Sequence, residues 1–278
     1  MLKSFAGGRI FGGTWGAGVP TVLALHGWQR THHDFTAVFA EGADSPDAPG
    51  GPEHPLSAVA LDLFGFGATP PPPGPWGSAE YAQALLPLFE EPGALADRLV
   101  VVGHSFGGRV AVHLATLVPD RVERLVLTGV PLLDRQGRRA RPAAGYRLAR
   151  RLHRMGVVGE ERMEALRQKH GSPDYRAAQG VMRAVFVKVL AEQYTDQMAA
   201  IRCPVDLVWG GDDTEVPVEV AVRARPLFRS ATLFTLPGVG HLTPTEAPAQ
   251  LLEVIRGART PEPGAPTGPV GRPSGDGR

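Results

Sequence analysis

The sequence has few of the features that mark secreted, membrane-bound or nucleic-acid-binding proteins. Its 278 residues include one cysteine, Cys203, so no internal disulfide can form, which fits a reducing compartment. The first residues lack the apolar segment of a signal peptide, and no apolar run is long enough to span a bilayer. Lys and Arg number 29 against 28 Asp and Glu, which leaves no strong field to attract nucleic acid. We therefore expect a cytoplasmic protein with neither a nucleic-acid partner nor a membrane span.

Patterns for bound metals and cofactors are also missing. No H-x-x-x-H pair or carboxylate cluster has the spacing of metal ligands. The glycine-rich segments lack the strand and G-x-G-x-x-G context of a dinucleotide site, and no Walker lysine follows any of them. Cys203 precedes Pro204 at the start of an apolar run, which indicates a buried thiol rather than a nucleophile. The sequence thus predicts no metal and no cofactor.

Short apolar runs alternate with helical patterns along most of the chain. The strands are predicted at 22–25, 58–61, 99–102, 124–130, 205–209 and 231–236, with weak strand character around 9–15. The helices are predicted at 31–40, 78–90, after residue 105, and at 218–228 and 245–256. This alternation predicts an α/β fold with a mostly parallel sheet covered by helices on both faces. Functional groups then belong at the carboxyl ends of the strands.

The alternation stops between residues 132 and 199, where the pattern is helical throughout. We predict a helical cap inserted at 132–199 into a core formed by 1–131 and 200–257. An exposed loop at 42–57 and a disordered tail at 258–278 are predicted from their proline and glycine content. The cap begins with a basic run between Arg135 and Arg154. This run is either a solvated helix face or a surface that draws anionic substrates toward a pocket.

The most informative stretch is the apolar run Leu99 to Val102 followed at once by G-x-S-x-G at 103–107. A chain that turns from a strand into a helix at Ser105 forces that residue into a strained conformation. Only small neighbours tolerate the resulting close approach, which accounts for Gly103 and Gly107. The turn exposes the Ser105 hydroxyl above a helix N-terminus, where developing negative charge is favoured.

A serine hydroxyl needs a base to accept its proton and a third group to orient that base. Two later segments supply candidates. Asp212 and Asp213 directly follow the predicted strand 205–209, and His241 lies on a glycine-containing loop after the last strand. On this reasoning alone, either Asp212 or Asp213 could be the group that orients the base.

Several motifs together resemble those of the α/β-hydrolase fold, in particular its capped, esterase-like serine hydrolases. The matching pieces occur in the family's order between about residues 20 and 256. They are His26-Gly27-Trp28, Asp62-x-x-Gly65-Phe66-Gly67, Gly103-His104-Ser105-Phe106-Gly107-Gly108, Asp213-x-x-Val216-Pro217, and Gly240-His241 with Glu246-x-Pro248.

The resemblance implies roles for individual residues. Ser105 would be the nucleophile, His241 the base and Asp213 its orienting acid, because Asp213 rather than Asp212 lies four residues before Pro217. The backbone amides of Trp28 and Phe106 would form the oxyanion hole.

The remaining polar residues of these motifs are expected to be structural. We expect His26 and His104 to be packed and hydrogen-bonded, and Asp62 to anchor its turn. His32 and His33 are expected at the surface where a helix starts, although a place in the substrate pocket is the alternative.

The function implied is hydrolysis of a small carboxylic ester through an acyl-enzyme, without a cofactor. Cleavage of a C–C or amide bond by the same triad is the main alternative, and a non-catalytic binding protein is the third. A small-molecule substrate is the expected partner, and the sequence leaves a homodimer open.

Overall fold

The computed structural model describes residues 1–43, 56–133, 151–153, 155–159, 161–163, 165 and 173–258. The chain divides into two compact units. The first comprises Met1–Pro71, Ser78–Leu133 and Gln193–Arg278, and the second comprises Pro72–Gly77 and Asp134–Glu192. Three predicted segments lie mostly outside the described residues: the loop 42–57, the basic run and the tail. The placement of a cap over the sheet edge stays a prediction.

The first unit contains an eight-stranded sheet in the order β1-β2-β4-β3-β5-β6-β7-β8. The strands β1 to β8 are Leu2–Phe5, Ile10–Trp15, Val22–Leu25, Ala58–Asp62, Leu99–His104, Val122–Thr128, Val205–Gly210 and Ala231–Leu236. β1 and β2 pair antiparallel, as do β2 and β4, and all other neighbours are parallel. The predicted mostly parallel α/β sheet is therefore confirmed.

The structure gives bounds for ten helices, α1 to α10, and for 3-10 turns at His32–Phe35 and Arg225–Leu227. They are Thr36–Ala43, Ser78–Ala84, Pro87–Glu90, Phe106–Leu117, Pro173–Ala177, Gly180–Leu190, Thr195–Ala200, Val218–Ala224, Thr243–Glu246 and Pro248–Ile255. Of these, α5 and α6 belong to the second unit and the others to the first.

The structure differs from the predicted elements at a few boundaries. The helix predicted at 78–90 is two helices, because Pro87 has no N–H to continue the first and instead begins the second. The segment predicted as a helix at 31–40 begins with the 3-10 turn His32–Phe35. β1 was not predicted, since its polar and exposed residues Lys3 and Ser4 lack a buried pattern.

The strand order places two loops side by side. β3 pairs on one side with β4 and on the other with β5, so the chain leaves β3 and β5 in opposite directions across the sheet. Leu25 and Gly103 are register partners at the carboxyl ends of these strands. Such a switch in strand order opens a crevice at the carboxyl edge. The segments that follow these two strands begin at His26 and Ser105 and lie side by side at this edge.

Candidate active site

The turn at Ser105 has the strained geometry predicted for it. Ser105 has φ of +48° and ψ of −110°, one of three non-glycine residues with positive φ among those described. A Cβ at Gly103 would lie 2.5 Å from the Gly108 Cα, and one at Gly107 would lie 2.2 Å from the Leu25 carbonyl oxygen. The glycines therefore let the helix α4 pack against the ends of β3 and β5, and Ser105 absorbs the sharp change in direction.

The two amides expected to form an oxyanion hole come from the adjacent β3 and β5 loops. The Phe106 N–H is the first of α4 and has no hydrogen-bond acceptor among the described residues. By contrast, the Gly107 N–H donates to the His26 carbonyl at 3.0 Å, which ties the two loops together. The rings of Trp28 and Phe106 meet edge to face at 5.4 Å, so their backbones belong to one packed cluster.

The imidazole of His241 is hydrogen-bonded to Asp213. The distance from Nδ1 to Asp213 Oδ2 is 2.8 Å, and both side chains are largely buried. Because a carboxylate accepts this hydrogen bond, the neutral imidazole has its proton on Nδ1 and its lone pair on Nε2. This is the tautomer that a general base needs. Asp212, the other candidate, is exposed and makes no side-chain contact with His241 in the described residues.

Local hydrogen bonds hold the Asp213 loop. Asp213 Oδ1 accepts from the amides of Glu215 at 2.8 Å and Val216 at 2.7 Å. The indole N–H of the buried Trp209, at the end of β7, donates to the Val216 carbonyl at 2.7 Å. The carboxylate is thereby fixed through one oxygen and presents the other to His241.

The loop that carries His241 is clamped in a similar way by Glu246. Its carboxylate accepts from the amide of Gly240 at 2.6 Å and from that of Leu242 at 3.2 Å, the residues on either side of His241. The sequence analysis noted Glu246 only as part of a motif. Its spacing of four residues after Leu242, at the start of a helix, is the signal that could have revealed this clamp.

Ser105 and His241 approach through a shared neighbour. The Ser105 amide donates to the Thr128 carbonyl at 2.9 Å, and a Cβ at the next residue, Gly129, would lie 3.0 Å from the His241 ring. Within the described residues, the side chain of His241 is hydrogen-bonded to Asp213 and not to the Ser105 hydroxyl. Such catalytic hydrogen bonds commonly tighten only when substrate is bound. Gly129 was not predicted as part of the site.

A further carboxylate, which the sequence analysis missed, lies beside the free nitrogen of His241. Glu215 Oε2 is 3.7 Å from His241 Nε2, and the Glu215 side chain is 71% exposed. Only its position two residues after Asp213 could have pointed to it.

His26 and His104 are buried and hydrogen-bonded, as expected of structural residues. His26 Nδ1 donates to the Gly27 carbonyl at 2.7 Å, and Nε2 accepts from the Leu63 amide at 3.0 Å. Burial lowers the pKa of His26 to about 4. For His104, burial followed by the nearby His241 lowers the pKa to about 3, and Nδ1 bonds the Thr128 carbonyl at 3.1 Å. Both rings are therefore neutral at pH 7.

Asp62 anchors its turn, as expected, and also holds His32. Its Oδ1 accepts from both the amide and Nδ1 of His32 at 2.8 Å, and its Oδ2 accepts from the Ala68 amide at 2.9 Å. Burial opposes ionisation, but these hydrogen bonds together lower the pKa of Asp62. The expectation of a surface position for His32 is wrong, because this pairing buries the ring, whereas His33 is exposed.

A metal site and a membrane span each place requirements on the described residues. They contain no group of three or more His, Cys, Asp or Glu placed to hold a metal ion. None of the helices described is both long enough and apolar enough to cross a bilayer.

The fold and the switch-point site define a class of hydrolase. The family model of the alpha/beta hydrolase family matches residues 22–254, and the chain belongs to this family. The predicted resemblance is thereby confirmed at the level of the family, and the chain is a hydrolase of that fold.

Several relatives are similar along most of their length. An esterase of Mycobacterium tuberculosis (strain ATCC 25618 / H37Rv) is 26% identical, and the match covers 90% of this chain and 86% of the relative. A 2-hydroxy-6-oxononadienedioate/2-hydroxy-6-oxononatrienedioate hydrolase of Cupriavidus pinatubonensis is 27% identical, with 84% of each chain covered. The solved structure of a thermophilic esterase from Thermogutta terrifontis has the same fold, with a TM-score of 0.63, 23% identity, and coverage of 92% of this chain and 96% of that one.

Proposed function

We propose that the protein is a serine hydrolase that cleaves a small carboxylic ester, with Ser105 as nucleophile, His241 as general base and Asp213 as the orienting acid. The observation that carries the proposal is the 2.8 Å bond from His241 Nδ1 to Asp213 Oδ2. In the neutral imidazole this bond directs Nε2 to act as the proton acceptor, on the same sheet edge as the strained Ser105 turn. The esterases among the relatives support the ester as the bond attacked.

The reaction has two halves. In the first, Nε2 of His241 accepts the hydroxyl proton as Ser105 Oγ attacks the ester carbonyl carbon. The C–O bond then breaks, and the alcohol leaves with that proton while the acyl group stays on Ser105. In the second, water attacks the acyl-enzyme, His241 again accepts the proton, and the acid is released. The amides of Trp28 and Phe106 would stabilise the oxyanion formed in each half.

The experiment combines covalent labelling with a panel of p-nitrophenyl esters of increasing acyl length. We expect a fluorophosphonate to label the protein, with labelling lost in Ser105→Ala and His241→Ala. Turnover should fall by about three orders of magnitude or more in both variants, and by a smaller though large factor in Asp213→Asn. Asp212→Asn is the matched control and should stay within about twofold of wild type, since its side chain is exposed and does not contact His241.

Stability separates loss of chemistry from loss of fold. Ser105→Ala removes one hydroxyl and should unfold at nearly the wild-type urea concentration. Full activity in His241→Ala would refute the role of that residue as the base. Failure to label Ser105, together with no ester turnover, would refute the proposal and favour a binding role for the fold.

A second candidate is hydrolysis of a C–C bond by the same residues. The relative named as a 2-hydroxy-6-oxononadienedioate hydrolase favours it. Normal labelling at Ser105 without turnover of any ester would move the assignment to this reaction.

A further inference from the structure

Glu215 occupies a position that bears on which substrates the site accepts. Its carboxylate Oε2 lies 3.7 Å from His241 Nε2, the nitrogen that must return a proton to the departing group. That group must come within hydrogen-bond distance of the same nitrogen. Its first atoms therefore lie within about 7 Å of the Glu215 carboxylate, given a hydrogen bond of about 3 Å.

The position of Glu215 follows from the loop that holds Asp213. The Glu215 amide donates to Asp213 Oδ1 at 2.8 Å, while Asp213 Oδ2 holds His241. One carboxylate thus fixes both the backbone of Glu215 and the imidazole beside it. The Glu215 side chain is 71% exposed and has no lysine or arginine partner among the described residues.

The other ionisable groups beside His241 are neutral or engaged in hydrogen bonds, as Glu246 is with the amides of Gly240 and Leu242. Asp213 is buried and bonded to the imidazole itself. His104, whose ring centre lies 5.0 Å from that of His241, is kept neutral by its low pKa. Arg30 is near enough for its charge to help lower the pKa of His104. Its guanidinium forms a bidentate ion pair with Asp34, in which the shortest N–O distance is 2.6 Å. Of the described carboxylates near His241, Glu215 is thus the exposed one that lies directly beside Nε2.

We propose that Glu215 is a specificity-determining residue, which disfavours substrates with an anionic leaving group and favours neutral or cationic ones. The inference rests on the proposed function, because it requires the leaving group to receive its proton from His241. The effect of Glu215 on the leaving group is opposite in sign to the attraction of anionic substrates that the sequence analysis considered for the basic run of the predicted cap.

The effect is electrostatic and should be moderate. A charge at the far side of a leaving phenol would lie roughly 10 Å from this carboxylate, where two unit charges still interact measurably at low ionic strength, although an exposed carboxylate is partly screened. We expect Glu215→Gln to raise the ratio of kcat/KM for an anionic to a neutral substrate by about three- to tenfold. The ratio for a cationic to a neutral substrate should fall by a similar factor. Glu215→Lys should shift both ratios further in the same directions.

The test uses three acetyl esters that differ only at the para position of the leaving phenol. They carry a carboxylate, a neutral carboxamide or a trimethylammonium group. Comparing each variant with wild type cancels the intrinsic reactivity of the three phenols. Measurements at about 0.02 M and about 0.5 M NaCl test the electrostatic origin, since salt should reduce both shifts. Glu219→Gln is the matched control, because it removes the same charge from an exposed glutamate four residues away in sequence.

The outcomes separate the two proposals. Ratios that stay within about twofold of wild type in Glu215→Gln, or that change equally in Glu219→Gln, overturn the role of Glu215 while fluorophosphonate labelling of Ser105 continues to support the triad. Absence of both labelling and ester turnover overturns the proposed function, and the role of Glu215 with it.

Discussion

Lowering the pH should destabilise this protein at pH values well above those at which carboxylates titrate, because two buried histidines are held neutral in the folded state. His26 has a pKa of about 4 and His104 of about 3, both lowered mainly by burial from an ordinary value of 6.5. Between pH 6.5 and these values the unfolded chain binds more protons than the folded one. The free energy of unfolding therefore falls as the pH drops below about 6.5.

The size of the effect follows from the displaced pKa values. At pH 5 an unfolded histidine has gained most of one proton, whereas His26 and His104 remain almost unprotonated in the fold. Each residue then costs about 2 kcal/mol relative to pH 8, from about 1.4 kcal/mol per pH unit over about 1.5 units. Together they predict a loss of about 4 kcal/mol between pH 8 and pH 5, a large part of the stability of an ordinary domain.

The structural reason is specific to each ring. Protonation would put a second donor on His26 Nε2, which faces the Leu63 amide at 3.0 Å. For His104, it would place a charge in a fully buried site beside His241. His26 and His104 directly precede the segments that carry Trp28 and Ser105. Protonation of these rings should therefore disturb the site and the fold together.

Urea unfolding followed by circular dichroism at several pH values between 8 and 5 measures the loss directly. His26→Asn and His104→Asn remove one titrating group each, so each variant should lose only about half as much stability over the range as wild type, whatever its stability at pH 8. NMR titration of the two rings in wild type should show neither protonating above pH 5. A wild-type loss below about 1 kcal/mol, or variants that keep the full wild-type loss, would refute the reasoning.

Two further predictions concern the site and the sheet. Gly129→Ala should lower ester turnover by about tenfold or more, because Gly129 has φ of +58° and the new Cβ would lie 3.0 Å from the His241 ring that must stay aligned. Steady-state kinetics measures this loss. Arg124→Met should lower the free energy of unfolding by about 2–3 kcal/mol, measured with urea, because Arg124 pairs with Asp206 on β7 at 3.2 Å and donates to carbonyls at the end of α10.

Controls exist for both substitutions. Gly18→Ala also places a Cβ at a positive φ of +84°, but nothing lies within 4 Å of it, so it should affect stability without affecting turnover. Equal kinetic effects at the two glycines would contradict the steric explanation. For Arg124, a loss no larger than that of an exposed arginine such as Arg202→Met would show that the partly buried pair contributes little.

The positions of most strands along the chain and the Ser105 turn could be predicted because their signals are local. Continuous apolar runs predicted the buried strands, and Gly103 and Gly107 predicted a turn that no larger residue tolerates. The edge strand β1 and the break at Pro87 were missed. Solvent-facing residues carry no periodic signal, and the pattern of the apolar positions continues across the proline.

Only the tertiary structure decided which residues lie against His241 and which histidines are buried. The sequence by itself determined that a serine turn, an acidic loop and a histidine loop follow the strands of one parallel sheet, because backbone sterics and apolar periodicity act over a few residues. It could not determine that Glu215 lies beside Nε2, that Gly129 lies under the ring, or that His32 is buried against Asp62. These contacts join loops separated by tens of residues, and only the packing of the strands fixes the distances between them.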